Sequence, residues 1–155
     1  MKKKTALLTG SNMGDREKFL HFAETEISLL GPILKKSKIY ESAAWGKTDQ
    51  GAFLNQCIIM ETDMTPLELL HHLKGIEKKV GRVKTEKWGE RVLDIDILFY
   101  DDLIMNTKEL ITPHPYMAER MFTLIPLAEI AAVWIHPVSG KTVAEMLEDC
   151  RKKEL

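Results

Sequence analysis

Residues 93–100 read Leu-Asp-Ile-Asp-Ile-Leu-Phe-Tyr, an alternation of apolar and acidic side chains that runs into an apolar end. A period of two is the signature of a β-strand with one face turned to a core. It predicts an apolar row of Leu93, Ile95, Ile97 and Phe99 against packed helices, and it puts Asp94 and Asp96 on the opposite face, about 6–7 Å apart. Aspartate is a poor strand former, and like charges on one face repel, so the pair calls for a cation or for full solvation. Taken alone, such a pair reads as a solvated face. The other reading is a hard divalent ion: Mg²⁺ takes one or two carboxylates and completes its shell with water and phosphate oxygens.

The preceding segment weighs against solvation. Residues 78–91 hold six cations (Lys78, Lys79, Arg82, Lys84, Lys87, Arg91) and two acids (Glu86, Glu90), a local +4 in a chain of formal charge −1, which leaves −5 for the remainder. Arginine forks for phosphate oxygens, followed directly by carboxylates for a metal, are the needs of a metal-bound polyphosphate site. Gly81 and Gly89 bound a loop expected to close over a nucleotide, and Trp88 is costly to leave exposed without a binding role. A solvated turn is the competing reading. The near-neutral total excludes polyanion binding through bulk charge. Residues 46–48 and 140–142 both end like a P-loop, but Glu41 and Ile135 occupy the positions where its first glycine is required, so neither is one.

The rest of the chain supplies the scaffold. Residues 5–9 predict a strand ended by Gly10, and Asp15 caps a helix to about Leu30 with Phe19, Ala23, Ile27 and Leu30 on one face. Residues 33–40 predict a second strand, 41–51 a long loop and 53–61 a third strand. Thr65-Pro66-Leu67-Glu68 is a capping box opening a helix with Leu70, Leu73, Ile76 and Val80 on one side, stopped by Gly81. Residues 142–145 form a second capping box for a final helix. The order βαββαβ with a helical tail predicts an α+β fold. Its ferredoxin-like core is a mainly antiparallel sheet with helices on one face, and a helical C-terminal extension follows. The other face is left for a site or added elements. With 155 residues, 45% apolar and 29% charged, the chain is expected to form one domain over residues 1–155 that needs no disulfide or zinc. Cys57 and Cys150 lie too far apart in sequence to suggest either, and no run approaches the ~18 apolar residues of a membrane span. A reducing cytoplasm is the expected home.

Several segments fall into one known pattern. They are Gly10-Ser11-Asn12-Met13-Gly14-Asp15-Arg16, Phe53-Leu54-Asn55, Gly81-Arg82, residues 87–100, Pro113-His114-Pro115, Glu119-Arg120-Met121-Phe122 and residues 125–131, in that order. In these the chain resembles the 6-hydroxymethyl-7,8-dihydropterin pyrophosphokinases of folate biosynthesis. The resemblance implies an ATP-dependent diphosphotransferase: the β,γ-pyrophosphoryl group of ATP passes to the pterin's hydroxymethyl group by attack at the β-phosphorus, and AMP leaves. It implies that Asp94 and Asp96 hold two Mg²⁺ ions and that Arg82 and Arg91 act beside them in catalysis. Lys74, Glu77, Lys84, Trp88, Ile97, His114 and Arg120 fall where the family binds ATP. Phe53 and Phe122 match its pterin-stacking pair, with Ser42, Ala43, Trp45 and Asn55 along the pterin edge. Asn55 shares a strand face with Phe53, and its amide can both donate and accept, as that edge requires. Singly, the two phenylalanines read as core and Asn55 as a satisfied polar residue.

The sequence departs from the family in places. Ser42-Ala43-Ala44-Trp45-Gly46 stands where the family commonly has threonine or serine followed by prolines, which predicts a less rigid loop. Glu109 and Ile111 replace an arginine and a threonine that contact ATP in some members, so those contacts do not carry over. His21, His71, His72 and His136 have no ligand-like spacing and read as structural or solvated. The rival classes are an RNA-binding module on the same fold and a domain that binds ATP without turnover. Against the first, the aromatic RNA-binding motif is missing and paired aspartates repel phosphate. The expected partners are the two small-molecule substrates, with no nucleic acid and no membrane, and the chain is expected to be a monomer.

Overall fold

In the computed structural model, which describes residues 2–42, 52–80 and 92–153, the first strand is the axis of assembly. β1 (Lys3–Ser11) is followed by α1 (Arg16–Leu30), β2 (Ile33–Lys36), β3 (Tyr40–Ser42), β4 (Phe53–Thr62), α2 (Pro66–Lys79) and β5 (Asp94–Tyr100). β1 pairs antiparallel with β4 on one side and β5 on the other, β2 lies outside β4, and β3 pairs with the opposite end of β4. A two-stranded ribbon, β6 (Met105–Asn106) and β7 (Ile111–Thr112), precedes α3 (Met121–Ala131) and α4 (Val143–Lys153).

Local chemistry sets the helix starts where the sequence puts them. The Asp15 carboxylate accepts the Lys18 amide at 3.2 Å, and Thr65 and Glu68 accept each other's amides at 3.2 and 2.9 Å with Pro66 as the first helical residue. Thr142 and Glu145 repeat that exchange at 3.1 and 2.9 Å in front of α4. A capping residue of this kind contributes ~1 kcal/mol.

The sheet is buried on both faces. One face packs on α1 and α2 through Leu7, Ile58, Ile95 and Ile97 against Leu20, Ile27, Leu69 and Leu73. The other packs on α3 and α4 through Ala6, Leu8, Cys57, Ile59, Leu98 and Phe99 against Leu124, Leu127, Val143 and Met146. This is the ferredoxin-like α+β plan, with the C-terminal helices covering part of the face that the core helices leave open.

Four details differ from the sequence pattern. Strand β1 runs through Gly10 to Ser11, because Gly10 pairs with a residue on each neighbour. The second predicted strand breaks at Ser37, whose hydroxyl accepts the Cys57 amide at 2.9 Å, and pairing resumes at Tyr40, its last predicted residue, and runs on through Ser42 into the predicted loop. The predicted core faces of α1 and α2 hold at Ala23, Ile27, Leu73 and Ile76, but at their N-terminal ends Leu20 and Leu69 are fully buried while Phe19 and Leu70 are only half-buried. Phe99 does not continue the row of Leu93, Ile95 and Ile97. Ala6 pairs with Phe99 and Leu7 with Ile97, so Leu98 is an extra residue in the ladder, and the bulge turns both Leu98 and Phe99 to the α3/α4 side.

Candidate active site

The ladder register assembles the site. Gly10 stands opposite Asn55 on β4 and Asp94 on β5, and Leu8 stands opposite Cys57 and Asp96. Residues opposite one another share a face, and alternate residues along each strand keep it. Leu8, Gly10, Phe53, Asn55, Asp94 and Asp96 therefore lie together on the α3/α4 side, at the end those helices leave uncovered. With Ser42, Arg120 and Phe122 they line a cavity of about 200 Å³. The absence of a side chain at Gly10 makes room here: a Cβ at that position would lie 2.9 Å from Asn55 Oδ1. The Asn55 amide is oriented by its other end, which donates to Ser42 Oγ at 3.1 Å.

A second, larger cavity of about 480 Å³ is lined by Leu70, Lys74, Glu77, Asp94, Ile95, Asp96, Ile97, Leu110, Ile111, His114 and Pro115. Asp94 and Asp96 line both spaces. The outer edge of β5, a sheet edge, anchors two residues of this second cavity: the Ile95 amide donates to Glu77 Oε2 at 2.7 Å, and the His114 amide donates to the bulged Leu98 carbonyl at 2.9 Å. Burial lowers the His114 pKa to about 4, with the Arg120 cation adding to the shift, so the imidazole is neutral at pH 7. Its Nδ1 accepts the Tyr116 amide at 3.2 Å. The Arg120 guanidinium lies 5.3 Å from the Tyr116 ring centre and 5.5 Å from that of Phe122.

The donor set fits a hard ion. Among the described residues no group of three or more His, Cys, Asp or Glu gathers. Two carboxylates on one strand face suit Mg²⁺, which draws its remaining ligands from water and substrate phosphates. They do not suit zinc, which wants a closed nitrogen or sulfur shell.

A model of the 7,8-dihydro-6-hydroxymethylpterin-pyrophosphokinase (HPPK) family matches residues 6–132. The chain belongs to this family. Its relatives include the 2-amino-4-hydroxy-6-hydroxymethyldihydropteridine pyrophosphokinase of Aquifex aeolicus, 44% identical over 136 residues that cover 88% of this chain and 85% of the relative. The enzyme of the same name from Synechocystis is 41% identical over 145 residues, covering 91% of this chain and 74% of the relative. A crystal structure of Plasmodium falciparum HPPK-DHPS with pteroate shares the fold at a TM-score of 0.78 and 17% identity. That match covers 99% of this chain, which spans 44% of the Plasmodium chain.

The pyrophosphokinase residues expected from the sequence sort into the two spaces. Ser42, Phe53, Asn55 and Phe122 line the narrower cavity, and Lys74, Glu77, Ile97 and His114 line the larger. Arg120, expected on the ATP side, lines the narrower cavity, where it stands just before α3, two residues ahead of Phe122, with its guanidinium over that ring. Ala43, Trp45, Arg82, Lys84, Trp88 and Arg91 lie outside the described residues, as does most of the loop in which proline is missing. Leu8 and Gly10 on one side and Leu70, Leu110 and Pro115 on the other are lining residues not singled out from the sequence. Gly10 carried a signal in its motif. The aliphatic residues carried none, because nothing distinguishes an apolar pocket wall from core in a single sequence. Glu109 pairs with His71 at 3.8 Å, both well exposed.

Proposed function

We propose that the narrower cavity takes the pterin and the larger takes ATP, with Asp94 and Asp96 at the seam where the pyrophosphoryl group crosses. The observation that carries this reading is that the same two carboxylates line both cavities. The family's reaction joins the pterin hydroxymethyl oxygen to the β-phosphorus of ATP and breaks the bond from that phosphorus to the oxygen bridging the α-phosphorus. Pyrophosphoryl pterin and AMP result, and the alcohol's proton is released. No covalent enzyme intermediate is needed. The protein's part is alignment of alcohol and phosphorus, with charge neutralisation around the polyphosphate.

Each side chain has a role in that scheme. Phe53 and Phe122 give the flat heterocycle apolar faces, and Asn55, fixed by Ser42, offers its carbonyl oxygen to the donors on the pterin edge. Arg120 acts from the pterin side, as its position beside Phe122 supports. Lys74 brings positive charge to the larger cavity, Ile97 an apolar wall and neutral His114 a hydrogen-bonding group, while Glu77 holds the β5 edge between the two aspartates. Asp94 and Asp96 would hold Mg²⁺, two ions being expected. Bound there, the metal neutralises phosphate charge and orients the polyphosphate. The family resemblance assigns Arg82 and Arg91 to catalysis beside the two aspartates, Lys84 and Trp88 to the ATP side, and Ala43 and Trp45 to the pterin edge.

Residues 1–155 read as one pyrophosphokinase domain acting as a monomer in the cytoplasm. The family match over residues 6–132 supports the single-domain reading, and among the described residues no helix is long and apolar enough to cross a membrane. The test is AMP release measured with ATP, Mg²⁺ and 6-hydroxymethyl-7,8-dihydropterin together and with each omitted in turn. AMP is expected only from the complete mixture. AMP formed without the pterin, or none from the complete mixture with folded protein, would overturn the reading.

A further inference from the structure

β3 carries Ser42, the residue that orients Asn55, yet it is three residues long and, among the described residues, pairs with β4 alone. A strand so short at a sheet edge is weakly held by its own ladder. Its second support comes from α3. The Glu129 carboxylate accepts the Lys38 amide through both oxygens at 3.2 Å and the Tyr40 hydroxyl at 2.5 Å. The Lys38 amide stands just before β3 and the Tyr40 hydroxyl at its first residue, so both ends of the tie grip the start of the strand. Along α3, Glu129 lies seven residues after Phe122, two turns further on the same face. One rigid helix thus presents Phe122 to the narrower cavity and Glu129 to the strand that carries Ser42. The Glu129 side chain is exposed and fills no core, so its hydrogen bonds are its contribution.

We infer that Glu129 is a positioning residue for pterin recognition. By tying β3 to α3 it fixes Ser42, and through Ser42 the Asn55 amide, at a set distance from Phe122. This rests on the assignment of the narrower cavity to the pterin. Hydrogen bonds to a carboxylate are roughly twice as strong as neutral ones, so losing the tie should loosen the pterin side while leaving the Asp94–Asp96 seam and the larger cavity as they are.

The experiment is steady-state kinetics of Glu129→Ala, Glu129→Gln, Tyr40→Phe and Asn55→Ala, with thermal melts showing that each is folded. Glu129→Ala should raise KM for the pterin about tenfold, the equivalent of ~1.4 kcal/mol, with kcat and KM for ATP within about twofold of the parent. Glu129→Gln keeps an acceptor for both donors and should recover most of the loss, and Tyr40→Phe should show a smaller rise of the same kind. In the Asn55→Ala background, Glu129→Ala should add little, because the two act in series. Overturning results are an unchanged pterin KM in Glu129→Ala while Asn55→Ala raises it, or a fall in kcat or a rise in KM for ATP equal to the change on the pterin side. If Asn55→Ala itself leaves pterin KM unchanged, the cavity assignment fails first, and the proposal with it.

Discussion

The two cavities share Asp94 and Asp96 but are built in different ways. The described floor of the narrower one is sheet: Gly10, Asn55 and Asp94 are direct partners in successive ladders, so their spacing is fixed by backbone hydrogen bonds. The larger one draws its walls from α2, the β5 edge and the β6–β7 ribbon, with Lys74 and Ile111 exposed at its rim. A ladder holds side chains at fixed separations, which suits recognition of one rigid heterocycle. Exposed groups on a helix and a ribbon hold charge more loosely, which suits a flexible polyphosphate chain. Selectivity by shape should therefore reside on the sheet side and tolerance on the other.

The largest effect should come from the residues common to both. Asp94→Ala and Asp96→Ala should each lower turnover by about a thousandfold or more, since a lost charge-stabilising group in such a site costs on the order of 10²–10³ and a metal ligand goes with it. Their urea midpoints should stay near the parent's, because both positions are only half-buried. Near-normal turnover in either variant would remove that carboxylate from the seam.

Gly10→Ala separates the cavities. The added methyl must displace Asn55 Oδ1, whose amide is held at its other end by Ser42. Pterin KM should rise by about ten- to a hundredfold, the range for disturbing one or two recognition hydrogen bonds, and ATP KM should stay put. A parallel rise for ATP would mean that the sheet floor serves both substrates.

The smallest effect is a pH dependence on the larger-cavity side. The folded protein holds His114 at about 4, chiefly by burial, against about 6.5 in the unfolded chain. Between those values the unfolded chain binds a proton that the folded one refuses, so this group's contribution to stability is complete above pH 6.5 and is lost as pH falls toward 4. Unfolding free energy of His114→Gln, followed by urea titration at a series of pH values, should decline less steeply across that window than the parent's. Identical slopes would mean that His114 titrates normally.

Much of this organisation is legible in the sequence, for definite reasons. The Asp94–Asp96 face and the Phe53–Asn55 face follow from period two, and the helix starts follow from capping chemistry that acts over three residues. What stays hidden depends on partners. A bulge at Leu98 is a property of the pairing with β1, so alternation alone sends Phe99 to the wrong core. The three-residue β3 exists because β4 offers an edge and Glu129 a tie. Helix α3 is apolar on nearly every side and carries Pro126, so neither periodicity nor propensity marks it as a helix. Arg120 stands just before α3, so its place in the lining of the narrower cavity depends on how that helix packs and could not be read from its motif.

The bulge at Leu98 divides β5 into two mutational territories. Upstream of it, residues 94–97 belong to the seam and its immediate backing; downstream, Leu98 and Phe99 belong to the core under α3 and α4. Phe99 stacks on Trp134 at 5.1 Å, so cutting it back to alanine should cost about 3–5 kcal/mol of stability, yet the substrate constants of the molecules that remain folded should hardly move. Drift in the downstream half would then be screened by persistence of the fold, and drift in the upstream half by chemistry, so that one seven-residue strand evolves under two separate filters.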